Sequence, residues 1–521
     1  MPIWKGTIAE HILKHKDNES TAIIADGHVI TYRQFFEESA RRANYARKTT
    51  GKYHPHIGVL LENTPEFLYW LGACAISRSV LVALNSTHRG AELEHQVSHT
   101  ECDMVFTENS FYSQLVDAGV DVGIIDRVDT GTYLSVISSF DTDFDVTGVF
   151  PSDKFLLIFT SGTSGVPKAV ITSQGRLEFV GQAISGLLQF TSEERCYISM
   201  PLFHSNSIFS SWAPAIVSGA TVVLRRKFSA SQFMPDIRKH KVTYFNYVGR
   251  PLTYILETPE SPDDKNHCVR IGFGNEAPPA DLKRFTERFN IPLMDSYGQT
   301  EMGATILRVP DMPDGALGIA INDSTKVMNK ETLWECDRAK FDESGRLLNP
   351  DEAIGEIVNT GETSFEGYWN NDQAMRDRTQ NGFYWTGDLA YRDENGFFYF
   401  AGRTTDWARV DGENFSTAIV DKILSRFDDF FLVACYAIPD DRVGDKLVAA
   451  AQMRANTNFD PDKFANFLSS QPDISPKWLP SVLRLVEDMP MTESNKIMKR
   501  TLRDSHGDGN VVSLTKSGST K

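Results

Sequence analysis

The sequence predicts an α/β protein with a large N-terminal domain of layered α/β sheets, a small β-rich subdomain and a small α+β C-terminal domain. Three observations lead there. The chain has 521 residues, beyond the size at which one hydrophobic core stops growing. Strand-like and helix-like apolar patterns alternate through its first half. Near residue 350 the pattern changes to short strands with Gly-rich turns, and beyond 403 it becomes mixed again.

In chain order, the periodicity predicts a helix over 32–47, a buried strand at 57–61, a helix over 65–76 and a strand at 80–84. Strand, helix, strand implies parallel pairing. A second such stretch covers about 154–310, with strands at 155–159, 221–224 and 244–248. The β-rich subdomain spans about 340–401, with strands at 355–358 and 395–400. A boundary at 402–406 separates residues 1–401 from a C-terminal domain over 407–504. That domain holds a helix over 417–427 and strands at 431–438 and 446–454. The Ser-, Gly- and Lys-rich tail, 505–521, is expected to be disordered.

Composition narrows the function classes. A net charge of −16 argues against nucleic-acid binding, which needs a basic footprint, so an anionic ligand must meet a local basic site. The longest apolar stretch, 67–76, is too short to span a bilayer, which leaves at most peripheral membrane contact. The N-terminus lacks the apolar core of a secretory signal, and the six cysteines show no CxxC pairing. Reduced thiols in a cytoplasmic protein are expected. His95 and His99 stand one helical turn apart, but HExxH order is absent, and a solvated helix face is expected there.

The chemistry begins at Phe159-Thr160-Ser161-Gly162-Thr163-Ser164-Gly165-Val166-Pro167-Lys168, directly after a hydrophobic strand. Glycines, hydroxyls and one lysine make an anion cradle, in which backbone N–H groups and hydroxyls hold phosphate oxygens and Lys168 adds charge. Walker A spacing and the GxSxG elbow are both absent.

This stretch resembles the signature loop of the adenylate-forming superfamily, which comprises acyl-CoA synthetases, luciferases and the adenylation domains of peptide synthetases. Later motifs follow in that family's order, so the resemblance covers about residues 20–503. It implies a mobile C-terminal domain, ATP and coenzyme A as co-substrates, Mg²⁺ as cofactor and a carboxylic acid as substrate.

The resemblance also implies roles. Phe203 and His204, in Pro201-Leu202-Phe203-His204-Ser205-Asn206, border the acyl and nucleotide pockets. Gly272-Phe273-Gly274-Asn275-Glu276 resembles the loop beside adenine, where glycines let the backbone approach a flat ring. In Asp295-Ser296-Tyr297-Gly298-Gln299-Thr300-Glu301, Tyr297 stacks on adenine, Thr300 contacts the α-phosphate and Glu301 holds Mg²⁺, with Thr160 as second protein contact. Asp388 accepts both ribose hydroxyls, and Arg403 lies near the same ribose. Thr405 occupies the usual hinge position, where the family commonly has Lys, Asp or Gly.

Arg409-Val410-Asp411-Gly412-Glu413-Asn414 resembles the variant of long- and very-long-chain acyl-CoA synthetases and fatty-acid transport proteins. Gly412, Glu413 and Asn414 are expected at the coenzyme A tunnel. Pro490-Met491-Thr492-Glu493-Ser494-Asn495-Lys496 resembles the C-terminal lysine loop, with Lys496 as the mobile catalytic cation and Asn495 in place of the usual glycine. Lys499 and Arg500 are expected to be solvated.

These parts imply an ATP-dependent acid–thiol ligase that passes through an acyl-adenylate, releases pyrophosphate and AMP, and forms an acyl-CoA. Phe203, Asn246, Tyr247, Val248 and Gly272 are candidates to line the acyl pocket. A medium-to-very-long-chain fatty acid is the first expectation, and a sterol side-chain acid presents similar apolar surface. Three rivals are an enzyme that loads a carrier protein, a non-catalytic binder and a transporter. The stretch 244–249 lacks the acidic residue that an amino-acid substrate needs, retention of Lys496 speaks against a binder, and no spanning segment supports a transporter. Oligomeric state is open, a homodimer being one option.

Overall fold

The computed structural model describes residues 4–160, 167–313, 315–343, 347–403, 407–410, 413–440, 444–455, 457–471, 474, 478–492, 497–506 and 510–513. The chain divides into two compact units. The first comprises Met1–Gly303 and Glu362–Asp377; the second comprises Ala304–Gly361 and Arg378–Lys521. The β-rich stretch thus groups with the C-terminal chain, and residues 402–406 fall inside the second unit.

The first unit holds two sheets. One runs in the order Ile125–Arg127, Met104–Thr107, His56–Leu60, Val80–Ala83, Lys154–Thr160, Lys168–Ser173, parallel except for the last pair. The other runs in the order Leu293–Tyr297, Ile271–Asn275, Tyr244–Val248, Arg195–Ile198, Thr221–Leu224, Thr21–Ala25, His28–Thr31, again parallel until its final strand. One continuous core joins Ile57, Leu81 and Ile158 of the first sheet to Ile198, Val222 and Tyr244 of the second.

The expected helices are present. Tyr32–Thr50 starts at a capping box between Thr31 and Gln34 and stops at Gly51, whose φ of 65° suits glycine. Pro65–Ser77 begins with Pro at N1. It buries nearly every side chain from Phe67 to Ile76, so the longest apolar run is a core helix. Arg42 is buried between these helices, its guanidinium bridging Glu66 at 2.5 and 2.7 Å. Among the described residues, no helix is long and apolar enough to cross a membrane.

The second unit holds an antiparallel sheet of Thr325–Met328, Gly355–Asn359, Phe383–Arg392 and Thr379–Gln380, with Phe398–Arg403 also pairing to the long central strand. Another sheet contains Trp407–Val410, Glu413–Ser416, Phe430–Asp440, Gly444–Met453 and Val482–Leu485. Thr417–Leu424 packs Val420 and Leu424 against Val433, Cys435 and Ala449 of that sheet.

Three expectations are corrected. Part of the tail is ordered: Asn510–Ser513 forms an edge strand antiparallel to Val482–Leu485, consistent with the β-branched pair Val511-Val512. Lys499 is not solvated, since its ammonium meets Asp421 Oδ2 at 2.6 Å and Thr417 Oγ1 at 2.9 Å, whereas Arg500 is exposed. His99 is not on a solvated face. Its Nε2 donates to the Trp369 carbonyl at 2.9 Å, and its ring stacks on His95. All six cysteines are free.

Candidate functional site

The loop expected to hold phosphate leaves and re-enters one pair of strands. Thr160 and Lys168 are direct partners across the antiparallel strands Lys154–Thr160 and Lys168–Ser173. Ser161, Gly162, Thr163, Ser164 and Gly165 lie outside the described residues. Lys168 is buried, and its Nζ sits 5.4 Å from the centroid of the Tyr368 ring. Tyr368 reaches this position because residues 367–369 run along the second strand. The Ile171 N–H donates to Gly367 O at 3.0 Å, and the Trp369 N–H donates to Ala169 O at 2.8 Å.

The strand Leu293–Tyr297 delivers Tyr297, largely buried, at its C-terminal end, followed by Gly298 and the turn carrying Thr300 and Glu301. Three contacts hold that turn. Arg176, fully buried, donates through Nη2 to the Thr300 carbonyl at 2.7 Å and through Nη1 to the Ile171 carbonyl at 2.7 Å. The Thr300 and Ser205 hydroxyls lie 2.8 Å apart, which ties the turn to the residue after His204. The Tyr368 hydroxyl donates to Glu301 Oε1 at 2.8 Å. Thr300, Glu301, Lys168 and the His204 segment are therefore linked through Arg176, Ser205 and Tyr368.

Sequence reasoning missed these three linkers. Arg176 carried a usable signal. It falls with Leu177, Val180 and Gly181 on the buried face of Gln174–Leu187, where a charged side chain needs partners. Ser205 and Tyr368 had none, being a lone hydroxyl and a lone aromatic.

A second network lies beneath. Asn206 Nδ2 donates to the Tyr247 carbonyl and to Asn275 Oδ1, each at 3.2 Å. Asn246 Nδ2 donates to Asn206 Oδ1 at 2.5 Å, and Ser211 donates to Asn246 Oδ1 at 2.9 Å. The buried Asn246 amide thus joins its strand to the helix after His204. The Tyr247 hydroxyl reaches Asp295 Oδ2 at 3.1 Å. Phe203 belongs to the core between the sheets, Tyr247 to a separate aromatic cluster with Phe245 and Phe285, and Val248 is buried at the end of its strand.

Packing within the protein gives these glycines a reason of its own. A Cβ on Gly274 would stand 2.3 Å from the Tyr247 carbonyl oxygen and 2.5 Å from its ring. One on Gly272 would meet Leu293 and Phe245 at 2.6 Å. Neighbouring strands of the protein itself require these glycines. Glu276, next in the loop, holds a positive φ of 63°.

In the second unit, Asp388 and Arg403 are direct cross-strand partners. Asp388 is buried, and its N–H donates to Thr386 Oγ1 at 3.1 Å. Gly387 adopts a φ of 75°, and its N–H donates to Glu356 Oε1 at 2.6 Å. Burial pushes the Glu356 carboxyl above the ordinary range, while the Gly387 bond and Lys330 pull it back. Glu413 and Asn414 pair as backbone with Val410 and Arg409. Thr405, Gly412 and Lys496 lie outside the described residues. The lysine loop is nonetheless clasped at its base: Met491 bridges Ile497, and the Met498 N–H donates to Pro490 O at 2.8 Å.

These parts fit a hard divalent cation. Glu301 is a buried carboxylate with one oxygen committed to Tyr368, and Mg²⁺ takes only one or two oxygens from protein. Among the described residues no cluster of three or more His, Cys, Asp or Glu forms a complete protein cage for a metal.

The family model described as AMP-binding enzyme matches residues 10–369. This chain belongs to the AMP-binding enzyme family. Within it, the chain is 43% identical to the steroid-22-oyl-CoA synthetase of Rhodococcus jostii over 511 residues, covering 97% of this chain and 92% of that one. It is 43% identical to the medium/long-chain-fatty-acid–CoA ligase FadD17 of Mycobacterium marinum, covering 86% of each chain. The fold is that of ATP-bound MatB from Rhodopseudomonas palustris, with a TM-score of 0.84 at 20% identity over 96% of this chain and 99% of that one. The MenE synthetase of Bacillus subtilis with its acyl-adenylate gives a TM-score of 0.81 at 23% identity over 98% of this chain and all of that one.

Proposed function

We propose that this acyl-CoA ligase activates a large apolar acid, first a medium-to-very-long-chain fatty acid, in two half-reactions on ATP and coenzyme A. The observation that carries the reading is the linked group of Lys168, Tyr368, Glu301 and Thr300 beside the phosphate loop. In the first half-reaction the loop 160–168 holds the triphosphate. A substrate carboxylate oxygen then attacks the α-phosphorus in line, and the bond to pyrophosphate breaks. Thr300 orients the α-phosphate, Tyr297 packs on adenine beside the loop 274–276, and Asp388 and Arg403 take the ribose. Glu301 and Thr160 are the residues that would hold Mg²⁺, which supplies neutralisation of phosphate charge.

Lys496 bridges the substrate carboxylate and α-phosphate in this step. It then leaves as the C-terminal domain turns about Thr405 in the hinge 402–406. Gly412, Glu413 and Asn414 open the way for the thiol, whose sulfur attacks the acyl carbon as AMP departs. His204 and Phe203 border the two pockets, and Tyr247, Val248, Asn246 and Gly272 lie toward the acyl chain. The enzyme works in the cytoplasm, with at most peripheral membrane contact.

A steroid side-chain acid is the second reading, favoured by 43% identity to the steroid-22-oyl-CoA synthetase across 97% of this chain. Pyrophosphate release, measured with and without coenzyme A across acids from acetate through long fatty acids to steroid C22 acids, tests both. Preference for fatty acids supports the first reading and preference for steroid acids the second. Release with neither overturns the substrate class.

A further inference from the structure

We propose that Tyr368 is a positioning residue that keeps Glu301 available to a divalent cation and away from Lys168. A buried carboxylate needs either a cation or hydrogen-bond donors. Among the described residues Glu301 forms no ion pair, and its Oε1 takes the Tyr368 hydroxyl at 2.8 Å. The same tyrosine turns its ring to Lys168, with Nζ 5.4 Å from the centroid. Tyr368 itself is buried. Its backbone is held by flanking hydrogen bonds to Ala169 and Ile171 and by a bridge to Val170, and its ring packs edge-on against Phe365. One side chain therefore holds the acid by its polar tip and the base by its face. The second carboxylate oxygen is left for a hard cation. Without the hydroxyl, Glu301 is free to rotate toward Lys168, and their ion pair would compete with that cation.

This inference rests on the assignment of Glu301 as the Mg²⁺-holding residue. It is tested by calorimetric binding of a non-hydrolysable ATP analogue, α,β-methylene-ATP, to the full chain across a Mg²⁺ titration, without acid or coenzyme A. Tyr368→Phe keeps the ring over Lys168 and removes only the hydroxyl. It should raise half-saturating Mg²⁺ by roughly tenfold, the effect of one hydrogen bond to a charged group, while Mg²⁺-free analogue binding stays at the wild-type value. In a Glu301→Gln background the same change should add little further. Equal losses with and without Mg²⁺, or equal losses in both backgrounds, would mark a merely structural tyrosine and overturn the proposal. If Glu301→Gln shifts the Mg²⁺ dependence and Tyr368→Phe does not, this proposal alone fails. If Glu301→Gln shifts nothing, the metal assignment fails and takes the proposal with it. Tyr368→Leu, which also removes the ring, should weaken Mg²⁺-free analogue binding as well, through loss of the support for Lys168.

Discussion

Asp388 and Arg403 face one another as Cα partners across the antiparallel strands Phe383–Arg392 and Phe398–Arg403, although fifteen positions separate them in the chain. The bulge between Leu389 and Ala390 sets this register. Two positions that look unrelated in sequence therefore share one register position of a hairpin.

Asp388→Asn should lower kcat/KM for ATP about ten- to a hundredfold, through loss of a charged acceptor for the ribose hydroxyls. Most of that loss should appear in KM. Steady-state kinetics with ATP and with its 2′- and 3′-deoxy analogues checks this. The wild-type penalty for a missing hydroxyl should shrink in the variant, and an unchanged penalty would remove Asp388 from the ribose.

Lys496→Ala should cut adenylation by at least about a hundredfold, the scale of one lost electrostatic group at a reacting phosphate. Thioester formation from supplied acyl-adenylate should survive. Separate single-turnover measurements of pyrophosphate release and acyl-CoA formation give the comparison. An equal fall in both half-reactions would contradict a lysine that serves only the first.

Glu356 gives a pH dependence of known sign. Burial raises its folded-state pKa above the ordinary 4.5, so the folded protein binds this proton more tightly than the unfolded chain. The stabilisation is fully present below the unfolded value and is lost as pH rises through the folded one. Glu356→Gln keeps an acceptor for the Gly387 N–H and cannot ionise. The stability of this variant relative to wild type should therefore increase as pH rises above 4.5, as read by urea denaturation at several pH values. A difference that stays constant with pH would exclude the effect.

Gly274→Ala should destabilise the protein by about 2 kcal/mol or more even without nucleotide, because the added methyl meets the Tyr247 backbone and ring at 2.3–2.5 Å. Gly298→Ala, with nothing within 4 Å of its Cβ position, should leave apo stability nearly unchanged. Calorimetric unfolding of both apo variants distinguishes packing from ligand approach as the reason for Gly274.

The contrast marks how far the sequence could be read. Strands such as Tyr244–Val248 and helices such as Tyr32–Thr50 were legible because burial imposes a period on the residues themselves. Thr300 and Glu301 were legible as a motif. What holds them was not. Tyr368 lies 67 positions from Glu301, and Arg176 lies 124 from Thr300, so only the folded chain brings them together. Lys499 was misjudged for the same reason, since Asp421, far upstream, removes it from solvent. Gly272 and Gly274 were recognised, but the packing of Tyr247, Phe245 and Leu293 against them was not, because a sequence does not say which strand will lie alongside.

The Met491–Ile497 bridge and the Met498-to-Pro490 bond bring together the chain on the two sides of 493–496. A loop whose ends are already joined has its closure entropy settled by the fold, so lengthening it by a few residues adds only a fraction of a kcal/mol. Glycine insertion beside Asn495 is therefore a mild change to stability, and any larger effect on adenylation would belong to Lys496 itself.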